Sequence, residues 1–277
     1  MSRRTEKPFW DPDALQAQFL TQTLGRRLIV FNRITSTNDF LKRLARRGAA
    51  AGTLVLADQQ TAGRGRLGRL WQSPPGAGLW FSMLLRPHLA PEYTGAISLI
   101  ISVVVAEELS AICHCPFHVK WPNDVLYHHC KVCGILCEAQ FSVADQRAGT
   151  PSQLDYVVAG VGININQRPD DFEPEWRKRA VSLAMITGEP MNRQEILVNL
   201  VQRLDAALFG NLREWIPALL SRWRALCQQV GKQITLQQPH ATIHGLFEDI
   251  GEGGELILRL RDGQRRVFLA GEVSVAK

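Results

Sequence analysis

Up to Cys227 the chain alternates short apolar runs with stretches of helical periodicity. Leu28–Phe31, Thr53–Ala57 and Leu79–Leu85 read as strands, and so do Val119–Tyr127, Val132–Phe141 and Tyr156–Ile165. Ser36, Thr37 and Asn38 offer capping side chains to a helix with Phe40, Leu41, Leu44 and Ala45 inward and Lys42, Arg43, Arg46 and Arg47 outward. Ile97–Ile112 is long and continuous enough to form a buried helix. Asn192, with Glu195 as its capping-box partner, opens a helix with Ile196, Leu197, Leu200, Val201, Leu204 and Leu208 at helical spacing. Trp215–Gln228 predicts another, with Pro217 in its first turn. Near the start, Asp11 or Asp13 is placed to cap a helix carrying Leu15, Phe19 and Leu20.

The texture changes after Gly231. Ile234–Leu236, Ala241–Leu246, Glu255–Leu260 and Arg266–Leu269 are short strand candidates, separated by Gln238-Pro239, by Gly251 with Gly253-Gly254, and by the hairpin signal Asp262-Gly263. Closely spaced strands of this kind predict a small β-barrel. The expected organisation is an N-terminal extension over 1–25, a larger α+β domain over 26–228 and a barrel over 229–277.

With 45% hydrophobic and 21% charged residues in 277, the chain can bury a core, and wholesale disorder is excluded. Six cysteines are too few for a secreted disulfide scaffold. The opening MSRRTEKPFW has no apolar signal stretch, and the longest apolar run, Ala96–Ala106, is shorter than the ~20 residues that span a bilayer. A cytoplasmic protein with reduced thiols and no membrane association is expected. The net charge of +6 permits any anionic partner. Its placement is more informative. No Asp or Glu occurs from Gln59 to Pro91, while Arg64, Arg66, Arg69 and Arg86 all do, which marks a local anion site.

Within that stretch, Gln60–Trp71 reads QTAGRGRLGRLW and follows a predicted strand. Glycines let backbone N–H groups approach a ligand, and arginine forks suit phosphate or carboxylate. No Gly-Lys-Ser/Thr follows, so this is no Walker loop. Composition alone also allows a flexible solvated loop or a nucleic-acid segment. Lys120-Trp121-Pro122-Asn123-Asp124 precedes Lys131, which enters an apolar strand either as a snorkelling edge residue or as a cation aimed at an anion. Gly160–Asn166 reads GVGININ, which turn chemistry alone could explain. His128, His129, Cys130, Cys133 and Cys137 invite a metal reading. On a strand over 131–138, however, only Cys133 and Cys137 share a face, with Cys130 in the turn before it, so no metal site is expected.

STN at 36–38, the Gly/Arg loop at 60–71, KWPND at 120–124, KVCGILCE at 131–138 and GVGININ at 160–166 come in an order and spacing that resemble the biotin–protein ligases. GEVS at 271–274 is similar to that family's C-terminal signature. The resemblance implies an α+β fold: a catalytic domain like the class II aminoacyl-tRNA synthetases, with a Src-homology-3-like barrel appended. It implies ATP-dependent activation of biotin to biotinyl-5′-AMP with Mg2+, then transfer to a lysine of a biotin carboxyl carrier domain. It places biotin against Ser36, Thr37, Asn38, Gln60, Arg64, Gly65, Arg66, Lys131 and Gly134. It places the nucleotide against Gly63, Arg64, Arg66, Arg69, Trp71, Asn123, Lys131 and Asn164. Arg66, Lys131 and Asp124 become the catalytic candidates, with Asp124 orienting the incoming amine. Fewer than about 35 residues precede Ser36, which is too short for the winged helix of family members that repress genes, so DNA binding is not expected. A homodimer stays open. A lipoate- or octanoate-transferring relative would share the fold, and a non-catalytic nucleotide or nucleic-acid binder would explain only the loop and the charge.

Overall fold

The computed structural model describes residues 10–142 and 153–275. In chain order the elements are α1 (Pro12–Gln16), β1 (Arg27–Ile34), α2 (Thr37–Arg46), β2 (Thr53–Gln60), β3 (Gly78–Leu85), α3 (Thr94–Cys113), β4 (His118–Lys120), β5 (Asp124–Tyr127), β6 (Cys130–Phe141), β7 (Leu154–Asn164), α4 (Leu183–Thr187), α5 (Arg193–Leu208), α6 (Leu212–Leu226), β8 (Gln233–Gln238), β9 (Ala241–Ile250), β10 (Leu256–Arg259), β11 (Arg265–Phe268) and β12 (Glu272–Val275). A seven-stranded sheet runs β1-β2-β3-β7-β6-β5-β4. Its β1–β2 pair is parallel and its other pairs are antiparallel. A separate antiparallel sheet runs β11-β10-β9-β8-β12. The fold is therefore α+β, with a large mixed sheet and a C-terminal all-antiparallel unit.

Period-two alternation divides the large sheet into two faces. Leu54, Leu56, Leu79, Phe81, Met83, Val157, Ala159, Val161 and Ile163 enter the main core with α3, α5 and α6. Val55, Leu84, Tyr156 and Val158 point the other way, onto Leu41 and Ala45 of α2. α3 is apolar all round because it is packed all round, against α5, α6 and the sheet. Its length and apolarity would suffice to cross a bilayer, yet most of it is buried inside this core.

Several expected elements shift. Val119–Tyr127 is two strands, β4 and β5, joined by a turn at Trp121, Pro122 and Asn123 that contains a cis Trp121–Pro122 bond. The turn forms because Pro122 cannot continue a ladder and because Trp121 buries its indole and donates Nε1–H to Gly254 O at 2.9 Å. α6 begins at Leu212, so Pro217 lies inside the helix. Burial of Leu212 and Ile216 in the core extends the helix N-terminally past the point where proline was expected to start it. It ends before Cys227, which instead pairs with Val119 in a β-bridge. Cys130, expected in a turn, is the first residue of β6. α1 is capped by Asp11 and ends at Gln16, which leaves Leu15 and Phe19 buried and Leu20 84% exposed. β12 is a strand that the apolar pattern alone did not mark.

Residues 10–24 join the main core through Trp10, Leu15, Phe19 and Leu24. The Asp205 carboxylate of α5 accepts the backbone N–H groups of Gln22, Thr23 and Leu24 at 2.8, 3.0 and 2.6 Å. Trp10 lies 4.9 Å from the Arg193 guanidinium, which itself donates to Asp58 and to Gly78 O. Removing the Asp205 carboxylate strands three donors, at about 1–3 kcal/mol for a buried polar group left unpaired. Asp205→Ala is expected to destabilise the fold by about 2–4 kcal/mol in urea denaturation, with unchanged secondary structure in far-UV circular dichroism.

Candidate active site

On the α2 face the alternation that puts Tyr156 and Val158 under α2 next brings up Gly160 and Gly162. β3 contributes Ser82 opposite Gly160, and β6 contributes Gly134 opposite Gly162. The sheet surface thus loses its side chains just beyond α2. A cavity of about 630 Å³ opens there, walled by α2, the Gly/Arg loop and β12 of the small sheet.

One end of the cavity is polar and uncharged. Ser36 caps α2, its Oγ accepting from Asp39 N–H. Thr37 N–H donates to Gln60 Oε1 at 2.9 Å, which fixes the amide so that Gln60 Nε2 donates to Ser73 Oγ at 3.2 Å. The Ser82 hydroxyl lies 2.5 Å from Asn38 Oδ1 and 2.7 Å from Thr37 Oγ1. Ser82 has one proton, and it goes to the amide oxygen of Asn38, which has none to give. Asn38 Nδ2 donates to Glu138 Oε2 and Leu136 O. The carboxamide of Asn38 is therefore spent on internal partners, and its packing requires Gly160, where an added Cβ would fall 2.2 Å from Asn38 Oδ1.

Cations line the rest, Arg64 beside the α2 end and Lys131, Arg66 and Arg69 at the other, each held by a carboxylate or a carbonyl. Lys131 Nζ lies 2.5 Å from Asp124 Oδ1 and 5.3 Å from the Trp71 ring centroid. Arg66 donates to Gly271 O at 3.2 Å and to Asn123 Oδ1 at 3.4 Å. Burial pulls the Arg66 guanidinium below its usual pKa, against the attraction of Asp124 and then Glu272. Arg69 pairs with Glu272 at 2.6 Å. Arg64 lies on Asp39 and Glu138, which Lys42 also bridges at 3.0 and 2.6 Å. Asn123 Nδ2 donates to Ile135 O at 2.7 Å, and Asn164 Nδ2 donates to Lys131 O and Val181 O. Trp71 covers the floor, edge-on to Trp80. An added Cβ on Gly162 would come 2.5 Å from its Nε1, and one on Gly134 would come 2.9 Å from its ring.

Ser36, Thr37, Asn38, Gln60, Arg64, Gly65, Arg66, Arg69, Trp71, Asn123, Asp124, Lys131, Gly134 and Asn164 all line this one cavity. Gly63 sits instead in the stem of its loop, with its carbonyl accepting from Trp71 N–H and no room for a Cβ against Trp71 O. Arg86, counted with the anion-site arginines, lies elsewhere. It pairs with Asp155, donates to the carbonyls of Ala45 and Ala49, and stacks on Tyr156. Three working residues had no role in the sequence reading: Ser82, Glu138 and Glu272. The latter two stood inside recognised motifs, and Ser82 stood out only as the polar residue of an apolar strand. Among the described residues no cluster of three or more His, Cys, Asp or Glu is placed to hold a metal. Burial pushes the Cys137 thiol up to about 12 and raises Cys133 as well, which keeps both protonated near neutral pH.

A mixed sheet bearing one cavity with hydroxyl and amide groups at one end and cations at the other can take a ligand that is polar and neutral at one end and anionic at the other. The comparisons with known proteins supply the class. Residues 30–164 match the biotin/lipoate A/B protein ligase family model, and residues 230–275 match the biotin protein ligase C-terminal domain. The chain is 31% identical over 274 residues to a biotin–[acetyl-CoA-carboxylase] ligase of Mycobacterium tuberculosis, covering 96% of each. It is 31% identical to the bifunctional ligase/repressor BirA of Bacillus spizizenii, over 90% of this chain and 74% of that one. A biotin protein ligase from Aquifex aeolicus, solved in complex with biotin and ATP, superposes with a TM-score of 0.69 at 31% identity, over 91% of this chain and 99% of that one. The chain belongs to the biotin protein ligase family and is a ligase.

The glycine floor makes a direct prediction. Gly162→Ala is expected to fold normally but to expel Trp71 from its seat. The check is intrinsic tryptophan fluorescence, red-shifted relative to the parent, with a thermal unfolding loss of no more than about 1–3 kcal/mol, as for overpacking.

Proposed function

We propose that the cavity holds biotin and ATP side by side, forms biotinyl-5′-AMP, and passes the biotinyl group to one lysine of a biotin carboxyl carrier domain. The observation that carries this reading is the union, in one glycine-floored cavity, of the Ser36–Gln60 end with Arg66 and Lys131. A ureido ring is neutral and needs hydroxyl and amide partners, whereas a carboxylate and a triphosphate need cations.

In this reading a biotin carboxylate oxygen attacks the α-phosphorus, and the bond to pyrophosphate breaks. Two anions must meet, and Lys131 and Arg66 lower that repulsion and stabilise the charge that builds at the α-phosphate. The partial desolvation of Arg66 prepares it for an anion, because a phosphate oxygen would replace the weak contact with Asn123. Trp71 packs on the base, and Arg64 and Arg69 exchange their carboxylate partners for ligand oxygens. Mg2+ enters as part of the nucleotide substrate. Near Lys131, Asp124 and Asn123 would offer it side-chain oxygens, a set suited to an ion that keeps most of its water. In the second half-reaction the neutral lysine amine attacks the acyl carbon, AMP leaves, and an amide forms. Asp124 orients the amine by accepting its hydrogen bond. Closure of the Gly/Arg loop against the small sheet, through Arg66–Gly271, keeps water from the mixed anhydride.

In the same reading the large domain is of the class II aminoacyl-tRNA synthetase type and the small sheet a Src-homology-3-like barrel. The enzyme works in the cytoplasm, and its positive charge serves the substrates rather than duplex DNA.

Incubation with labelled biotin, ATP and a carrier domain is expected to label the carrier. Lipoate and octanoate in place of biotin are expected to give none; equal transfer of either would overturn the substrate assignment. Lys131→Ala is expected to lower adenylate formation by about 100-fold or more, the scale of losing one charge-stabilising donor. Its urea midpoint should stay close to that of the parent.

A further inference from the structure

Lys131, Arg64, Arg66 and Arg69 each meet a carboxylate or a carbonyl. Two other cations that line the cavity, Lys120 and Arg179, make no ion pair or side-chain hydrogen bond among the described residues. Lys120 is half-buried at the end of β4 and stands opposite Asp124 of β5 in the ladder. Directly opposed residues put their side chains on one face, with Cβ atoms about 4.5–5.5 Å apart. Asp124 nevertheless turns to Lys131, at 2.5 Å, which leaves the Lys120 ammonium unspent. The backbone that carries it is fixed. Lys120 O accepts Asn123 N–H at 3.1 Å, and the next residue, Trp121, is anchored on Gly254 O. Arg66 reaches the same turn through Asn123 Oδ1. Arg179 lies on the other side of Lys131, which has Leu126 of β5 as one neighbour and Ala180 as the other. The two unspent cations therefore flank Lys131, and Lys120 is the one that shares a side with Arg66.

We infer that Lys120 is a catalytic residue of the first half-reaction: its ammonium binds the β- and γ-phosphates and takes up the charge of pyrophosphate as it leaves. The inference rests on the reading that the cavity activates biotin with ATP. In that step a carboxylate oxygen bonds to the α-phosphorus, and the bond to the bridging oxygen breaks with its electron pair going to pyrophosphate. Lys131 and Arg66 face the α-phosphate, so negative charge builds next to them on the leaving group. A cation already paired with an acid must give up that partner before it can meet a phosphate, whereas Lys120 has none to give up. A compact ammonium with three donors suits phosphate oxygens. Pyrophosphate is gone before the carrier lysine attacks, so Lys120 has no anion to hold in the second half-reaction.

The test separates the two half-reactions in the full chain. Adenylate formation from biotin and ATP, and its reversal by pyrophosphate, are each taken to kcat/KM, and transfer from supplied biotinyl-5′-AMP to a carrier domain is measured alongside. Lys120→Met is expected to lower kcat/KM for ATP and for pyrophosphate by at least about tenfold, with the biotin KM and the transfer rate within about twofold of the parent. Lys120→Arg, which keeps the charge, is expected to recover most of the loss. A folded Lys120→Met that uses pyrophosphate as well as the parent overturns the inference. Equal loss in both half-reactions also overturns it, because that marks a structural residue or a role in transfer. Should Lys120→Met fail to fold, Lys120→Gln is read by the same criteria. No adenylate from biotin and ATP by the parent defeats the functional reading itself, a result distinct from adenylate formation that is indifferent to Lys120.

Discussion

The cavity depends on a register: Gly134 opposite Gly162, and Ser82 opposite Gly160. Along the α2 face the strands carry Leu84, Val158 and Tyr156 where α2 must be seated, then switch to residues with little or no side chain. Glycine in a strand interior weakens the strand. The cost is met by long pairing, since β6 and β7 are the longest strands and pair along most of their length. In return Asn38 and Trp71 can lie directly on the backbone, at approaches no Cβ would allow. A one-residue slip of β7 would bring Val161 and Ile163 up to this face and close the site.

Charge placement follows from the same geometry. A cavity meant for anions must collect cations, and cations gathered in one place repel each other and resist burial. Here most are held by a carboxylate or carbonyl from another part of the chain: Lys131 by Asp124, Arg64 by Asp39 and Glu138, Arg69 by Glu272, and Arg66 by the Gly271 carbonyl. These contacts preset the side-chain positions and can be exchanged for phosphate or carboxylate oxygens. Two of them belong to β12 or the residue before it, so the small sheet is tied to the loop that covers the site. Trp121 to Gly254 and Arg224 to Asp249 brace the same junction from behind.

Much of this was legible in the sequence where local periodicity and packing agree. The faces of α2 and α5, the strands β2, β3, β6 and β7, and the change of texture after Gly231 all follow from apolar spacing. The motif residues read by resemblance, Gly63 excepted, line one cavity. What was not legible depended on long-range partners. The acid-free run from Gln59 to Pro91 looked like bare positive charge, but its arginines are met by Asp39, Glu138, Asp155 and Glu272, and Arg86 faces away from the cavity. The KWPND turn hid inside one expected strand, Val119–Tyr127, because Trp121 is buried through a contact with residue 254, far along the chain.

The account's central claim is that the two ends of one cavity share a single bisubstrate ligand lying over Trp71. The most direct measurement is a crystal structure with a non-hydrolysable biotinyl-adenylate analogue. The account predicts the ureido ring against Ser36, Thr37 and Gln60, the linker between Arg66 and Lys131, and the base packed on Trp71. An analogue bound with its ureido ring at the Lys131 end, or outside this cavity, would contradict it.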